Sequence, residues 1–139
     1  MAVNTDKTLQ HQLIYSVFVR NHTPEGTFRA LERDLDRLSA LGTDIVWLMP
    51  IHPVGEVGRK GTLGSPYAIR DYRGVNPEYG TVEDFRHLVD AIHDRGMKCI
   101  IDVVYNHTYH SDSNLERTVP GYWNRRWPNG MMTNGSGCG

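Results

Sequence analysis

The protein has 139 residues, with 15 Lys plus Arg against 16 Asp plus Glu, and a formal net charge of −1. That near balance excludes the basic footprint of a nucleic-acid binder and the high net charge of a disordered chain. No run approaches the ~20 apolar residues of a membrane span, and polar Met1 to Gln10 lacks a signal-peptide core, so the expectation is a cytoplasmic globular domain.

Leu13 to Arg20 (LIYSVFVR) is rich in β-branched and aromatic residues and predicts a strand. Phe28, Leu31, Leu35, Leu38 and Leu41 then recur at spacings of three and four, an amphipathic helix with Gly42 where a C-terminal cap belongs. Its charged residues (Glu32, Arg33, Asp34, Asp36, Arg37) are expected on the solvent face. Ile45 to Met49 (IVWLM) is a short apolar run ended by Pro50. Such runs suit strands covered on both faces, and they place Trp47 in the core.

The stretch Ile51 to Tyr79 carries Gly55, Gly58, Gly61, Gly64 and Gly74 with Pro53, Pro66 and Pro77. A connection of that length is usually functional. Thr81 with Asp84 forms a capping-box pattern, and Phe85, Leu88, Val89 and Ile92 give a second helix ended by Gly96. His87 and His93 fall on its polar side. Met97 to Val104 (MKCIIDVV) predicts a third strand, with Cys99 as a buried thiol. The order strand, helix, strand, helix, strand implies parallel strands joined by helical crossovers. After Tyr105 periodicity stops, and the chain ends on Gly135-Ser136-Gly137-Cys138-Gly139 as though cut within a loop. Two cysteines make no disulfide framework.

In parallel α/β folds, sites gather at the C-terminal ends of strands. Here those ends offer Arg20, Asn21 and His22; then His52 and the long loop; then Asp102, Asn106 and His107. A carboxylate at 102 among Ile100, Ile101, Val103 and Val104 is costly unless paired. It is either a structural acid held by an Arg or backbone donors, or a strand-end acid facing a substrate. Alternation puts Asp102, Val104 and Asn106 on one side if the strand runs that far. His107 and His110 with Asp112 make a weak zinc pattern, because no second pair accompanies them. Trp123 and Trp127 beside Arg125 and Arg126 either line a binding groove or cover a rim.

Asp102-Val-Val-Tyr-Asn106-His107 resembles the first motif of the α-amylase family of glycoside hydrolases. The stretch Tyr67-Ala-Ile-Arg-Asp71-Tyr72 with Val75-Asn76-Pro77-Glu78-Tyr79-Gly80-Thr81 is similar to the loop after that family's second strand. Ile45 to Ile51 resembles the second strand itself. Val119-Pro-Gly-Tyr and Asn134-Gly-Ser-Gly-Cys-Gly resemble the loop after strand three in pullulanase-like members.

The resemblance spans Leu13 to Gly139 and implies an α/β fold: the first three strands and two helices of a (β/α)₈ TIM barrel over residues 1–104, then the start of an inserted domain over residues 105–139. It implies that Asp102, His107 and Tyr67 bind substrate, His107 donating to a sugar hydroxyl, Tyr67 stacking on the ring and Asp102 supporting the site through an Arg on the fourth strand. It implies that Asn106 offers its carbonyl oxygen to a calcium ion, a use that varies within the family, and it implies no organic cofactor. The expected partner is an α-glucan, oligosaccharide or polysaccharide, joined at α-1,4 or α-1,6 bonds. No nucleic acid or membrane partner is expected.

The departure is equally plain. A complete barrel takes ~250 residues. A retaining glycosidase needs two carboxylates about 5–5.5 Å apart, which the family draws from its fourth and fifth strands. No catalytic residue is therefore expected within this chain, and alone it is expected to hydrolyse nothing. The alternative is a non-catalytic piece that binds glucan or self-associates through an exposed strand edge.

Overall fold

A computed structural model of the protein describes residues 7–56 and 61–105. A short 3-10 turn, Lys7–His11, leads into β1 (Ile14–Val17). Then follow α1 (Val19–His22), α2 (Phe28–Ala40), β2 (Ile45–Leu48), α3 (Val82–Asp94) and β3 (Lys98–Ile101). The three strands form one parallel sheet in the order β1-β2-β3, with Ser16, Trp47 and Ile100 in one row and Tyr15, Val46 and Cys99 in the next. The expected alternation of parallel strands and helical crossovers is thus present.

The helices form where local chemistry dictates. Thr27 caps α2, its hydroxyl accepting from the Ala30 amide at 3.2 Å, and the α2 stripe of Phe28, Leu31, Leu35 and Leu38 is wholly buried. At α3 the Thr81 hydroxyl accepts from the Asp84 amide while the Asp84 carboxylate accepts from the Thr81 amide, a reciprocal capping box. Gly42 adopts φ +83° just past α2, the left-handed turn a side chain resists. Leu88 and Ile92 of α3, Val46 and Leu48 of β2, and Tyr79 complete the core. Each such side chain stabilises the fold by about 1.5–3 kcal/mol. Two ion pairs tie the helices together, Arg29–Asp84 and Arg95–Asp36, each at 2.7 Å.

Some expectations need correction. β1 stops at Val17 rather than Arg20, because the backbone turns into α1. β3 ends at Ile101 rather than Val104, so the strand does not run far enough for alternation to align Val104 with Asp102. Trp47 is not core: it is 40% exposed. α2 and α3 cover the face bearing Val46 and Leu48, while Ser16, Trp47 and Ile100 on the other face are exposed. Cys99 is half-buried rather than buried, though burial still pushes its thiol up to about 11. The charged side of α2 faces solvent as expected at Arg33, Asp36 and Arg37, and it also carries ion pairs, with Asp34 bonded to both His22 and Arg37. Exposed His87 and His93 agree with expectation. Among the described residues no helix is long and apolar enough to cross a membrane.

Candidate functional site

The described parts of the long connection after β2, residues 49–56 and 61–81, form a ribbon at the C-terminal ends of the strands. Its outgoing limb pairs with its returning limb: the Gly55 amide donates to Ala68 O at 3.0 Å, the Arg70 amide to Pro53 O at 2.9 Å, and the Asn76 amide to Ile51 O at 2.7 Å. Val54 and Ile69 form an antiparallel bridge between the limbs. The limb then anchors in the core. Tyr79 is buried, its carbonyl accepts from the Phe28 amide at 2.8 Å, and its ring meets Phe28 edge-on at 5.8 Å.

This ribbon brings Tyr67 to Asp102. The Tyr67 hydroxyl donates to Asp102 Oδ2 at 3.3 Å, a long bond for two oxygens. Asp102 is set by the sheet, its amide donating to Leu48 O at 2.9 Å one residue past β3. Burial, reinforced by the neighbouring Asp102 carboxylate, pushes the Tyr67 hydroxyl above the usual tyrosine range. It therefore remains a neutral donor at neutral pH. Tyr67 and Asp102 are both only half-buried, so the pair borders open space at the strand ends.

Beside it stands an aromatic wall whose role the sequence did not disclose. Tyr72 donates to Val104 O at 2.8 Å and stacks on Tyr105, with ring centroids 5.6 Å apart and planes within 18°. His52 lies against Tyr72 at 5.8 Å. The Nδ1 of His52 sits 2.9 Å from Gly74 O; a carbonyl only accepts, so Nδ1 carries the proton. Its Nε2 is buried and has no hydrogen-bond partner among the described residues. The available signal was the Tyr67 to Tyr72 stretch itself, which places two tyrosines five positions apart on one loop.

The first strand end contributes differently from expectation. His22 turns away from the mouth to pair with Asp34 at 2.8 Å, and exposed Asn21 reaches nothing in the site. Arg20 reaches the loop that carries Tyr67. Asn106, His107, His110, Asp112, Trp123 and Trp127 lie outside the described residues, as do Cys138 and the segment expected to begin an inserted domain. Among the described residues no three His, Cys, Asp or Glu side chains converge as a metal site requires.

Parallel strands with helical crossovers, and polar side chains gathered at the strands' C-terminal ends, match the first part of a (β/α)₈ barrel. The model of the alpha-amylase catalytic domain matches residues 4–121, so the chain belongs to the α-amylase catalytic-domain family. It superposes on an alpha-amylase from Lactobacillus plantarum with a TM-score of 0.81 and 55% identity, covering 91% of this chain and 29% of that one. It is 35% identical over 119 residues to an alpha-glucosidase of Pediococcus pentosaceus, covering 82% of this chain and 20% of the relative. It is 41% identical over 118 residues to the trehalose synthase/amylase TreS of Mycobacterium tuberculosis, covering 79% of this chain and 18% of the relative. The chain thus spans about a fifth of the length of these curated relatives.

Proposed function

We propose that this chain is the N-terminal part of a retaining glycoside hydrolase that acts on α-glucans, cleaving α-1,4 or α-1,6 glucosidic bonds of starch, maltooligosaccharides or pullulan. The observation that carries the reading is the Tyr67 hydroxyl bonded to Asp102 at the strand ends of a family-matched barrel. Tyr67 offers an apolar ring face to a sugar, and the half-exposed Asp102 carboxylate and Tyr67 hydroxyl offer polar anchors beside it. His107 and Asn106 follow Asp102 by five and four positions; His107 donates to the same sugar, and Asn106 would offer its side-chain oxygen to a calcium ion.

The chemistry is double displacement. One carboxylate attacks the anomeric carbon as an acid protonates the departing glycosidic oxygen, and water then releases the sugar. Both groups belong to strands beyond β3, so this chain contributes sugar positioning and is inactive alone. The test expresses the whole reading frame containing this chain, and residues 1–139 alone, on soluble starch, pullulan and maltoheptaose. Turnover by the former and none by the latter is expected. An inert full-length protein overturns the hydrolase reading. Turnover by the 139-residue chain that Asp102→Asn abolishes overturns its inactivity. Loss of thermal stability on adding EDTA, restored by calcium, tests the ion.

A second reading is favoured by the 41% identity to a trehalose synthase/amylase: the intermediate passes to a sugar hydroxyl rather than to water. Maltose as sole substrate separates the two, giving glucose in one case and an isomeric disaccharide in the other. As an isolated piece, β1 and β3 each present an edge unpaired among the described residues, which favours association with other chains.

A further inference from the structure

We propose that Arg20 is a positioning residue for Tyr67, holding the loop that delivers the tyrosine to the sugar site; this rests on the α-glucan reading above.

Arg20 rises from α1, just past β1, and its side chain is only 15% exposed. Its guanidinium donates to two successive carbonyls of the long loop, Nη1 to Gly64 O and Nη2 to Leu63 O, each at 3.2 Å. Nη2 also lies 3.5 Å from the Glu78 carboxylate on the returning limb. One planar fork thus joins the tip of the ribbon, at Leu63 and Gly64, and its returning limb, at Glu78, to the strand-1 side of the barrel, across 44 residues of sequence to Gly64. The Phe18 ring stacks beneath it at 5.4 Å.

From Gly64 the constraint passes to Tyr67 through a tight turn. Ser65 O accepts from the Ala68 amide at 3.1 Å, and the Ser65 hydroxyl accepts from the Tyr67 amide at 3.3 Å. Residues 65–68 therefore move as one unit, with the Tyr67 ring projecting toward Asp102. The Arg20 backbone is itself constrained. Gly26, at φ +64°, passes so close that a Cβ there would lie 2.7 Å from Arg20 O, so the turn after α1 admits only glycine without shifting this residue. Planar two-carbonyl capture suits guanidinium, whereas an ammonium binds as a point charge. The single Tyr67–Asp102 bond is long and weak, so it does not hold the ring alone. The backbone pairing of Ala68 and Arg70 with Gly55 and Pro53 holds the loop after Tyr67, and the Arg20 clamp holds it before.

The test is a double-mutant cycle in the full-length enzyme, with Arg20→Met, Arg20→Lys and Tyr67→Ala alone and combined, read as KM and kcat on maltoheptaose. Arg20→Met is expected to raise KM about tenfold, with Arg20→Lys between it and wild type. In the Tyr67→Ala background either Arg20 change should cost less than about twofold more, because both act on one contact. Independent, multiplying losses overturn the proposal, as does an unchanged KM. If Arg20→Met fails to fold, the Arg20→Lys cycle decides on the same criterion. Hydrogen exchange of the Ala68 and Arg70 amides in the same proteins gives a readout apart from activity: faster exchange there, with α3 unchanged, is expected. A wild-type enzyme that cleaves no α-glucan refutes the functional reading, and exchange then judges Arg20 alone, unchanged rates refuting it.

Discussion

Replacing Tyr67 separates the two services the site asks of it. Tyr67→Phe keeps the ring and removes the hydroxyl that donates to Asp102 Oδ2. A hydrogen bond to a charged acceptor is worth about 1.5–3 kcal/mol. At 3.3 Å this one is stretched, and Asp102 is half-exposed, so water replaces much of what is lost. About 0.5–1 kcal/mol remains, which at 1.36 kcal/mol per decade is roughly a two- to fivefold drop in kcat/KM. Tyr67→Ala removes the ring as well. Apolar contact at the low end of a buried aromatic, about 1.5 kcal/mol, adds roughly another tenfold. The assay is initial-rate hydrolysis of maltoheptaose by the full-length enzyme across both variants. Equal impairment of Phe and Ala variants would refute the stacking role; wild-type kcat/KM in the Ala variant would remove Tyr67 from the site altogether.

Further outcomes follow from the packing and ionisation of the chain. The Arg37 guanidinium first, and His22 as a further donor, hold the Asp34 carboxyl down at about 2. Its folded pKa is depressed, so the contribution is present above about 4, the ordinary carboxylate value, and is lost as pH falls toward about 2. Asp34→Asn should lower stability by about 1 kcal/mol at pH 7 and flatten that acid limb, measured by urea midpoint against pH; an unaltered limb would refute the pairing. Phe28→Ala empties a site enclosed by Tyr79 and Phe85 and should cost about 3–5 kcal/mol in denaturant unfolding, with a loss below 1 kcal/mol counting against the packing. Burial raises the Cys99 thiol to about 11, so at pH 8 its alkylation, followed by peptide mass, should run at least about tenfold slower than in the unfolded chain; equal rates would show the thiol to be open.

Helices α2 and α3 and their ends were legible in the sequence because their causes are local, whereas α1 was hidden within a strand-like run. The α2 stripe from Phe28 to Leu38, the Thr81–Asp84 box and the turn at Gly42 each act within a few residues. Strand extents were less legible. β1 and β3 are both shorter than their apolar runs, since pairing with β2 rather than β-propensity decides where a strand ends. Trp47 shows the same limit: an apolar run names buried residues but not which face has a cover.

The sequence by itself determined the succession of parallel strands and helices, the family, and Tyr67, Asp102 and His107 as candidate substrate-binding residues. Only the tertiary structure decided that Tyr67 and Asp102 meet, 35 positions apart, at 3.3 Å. It alone turned His22 toward Asp34, set Tyr72 against Tyr105, and sent Arg20 to the carbonyls before Tyr67. Periodicity encodes which side of an element is apolar. Contacts between distant loops depend on how the sheet spaces the strand ends that carry them, and no local pattern holds that distance.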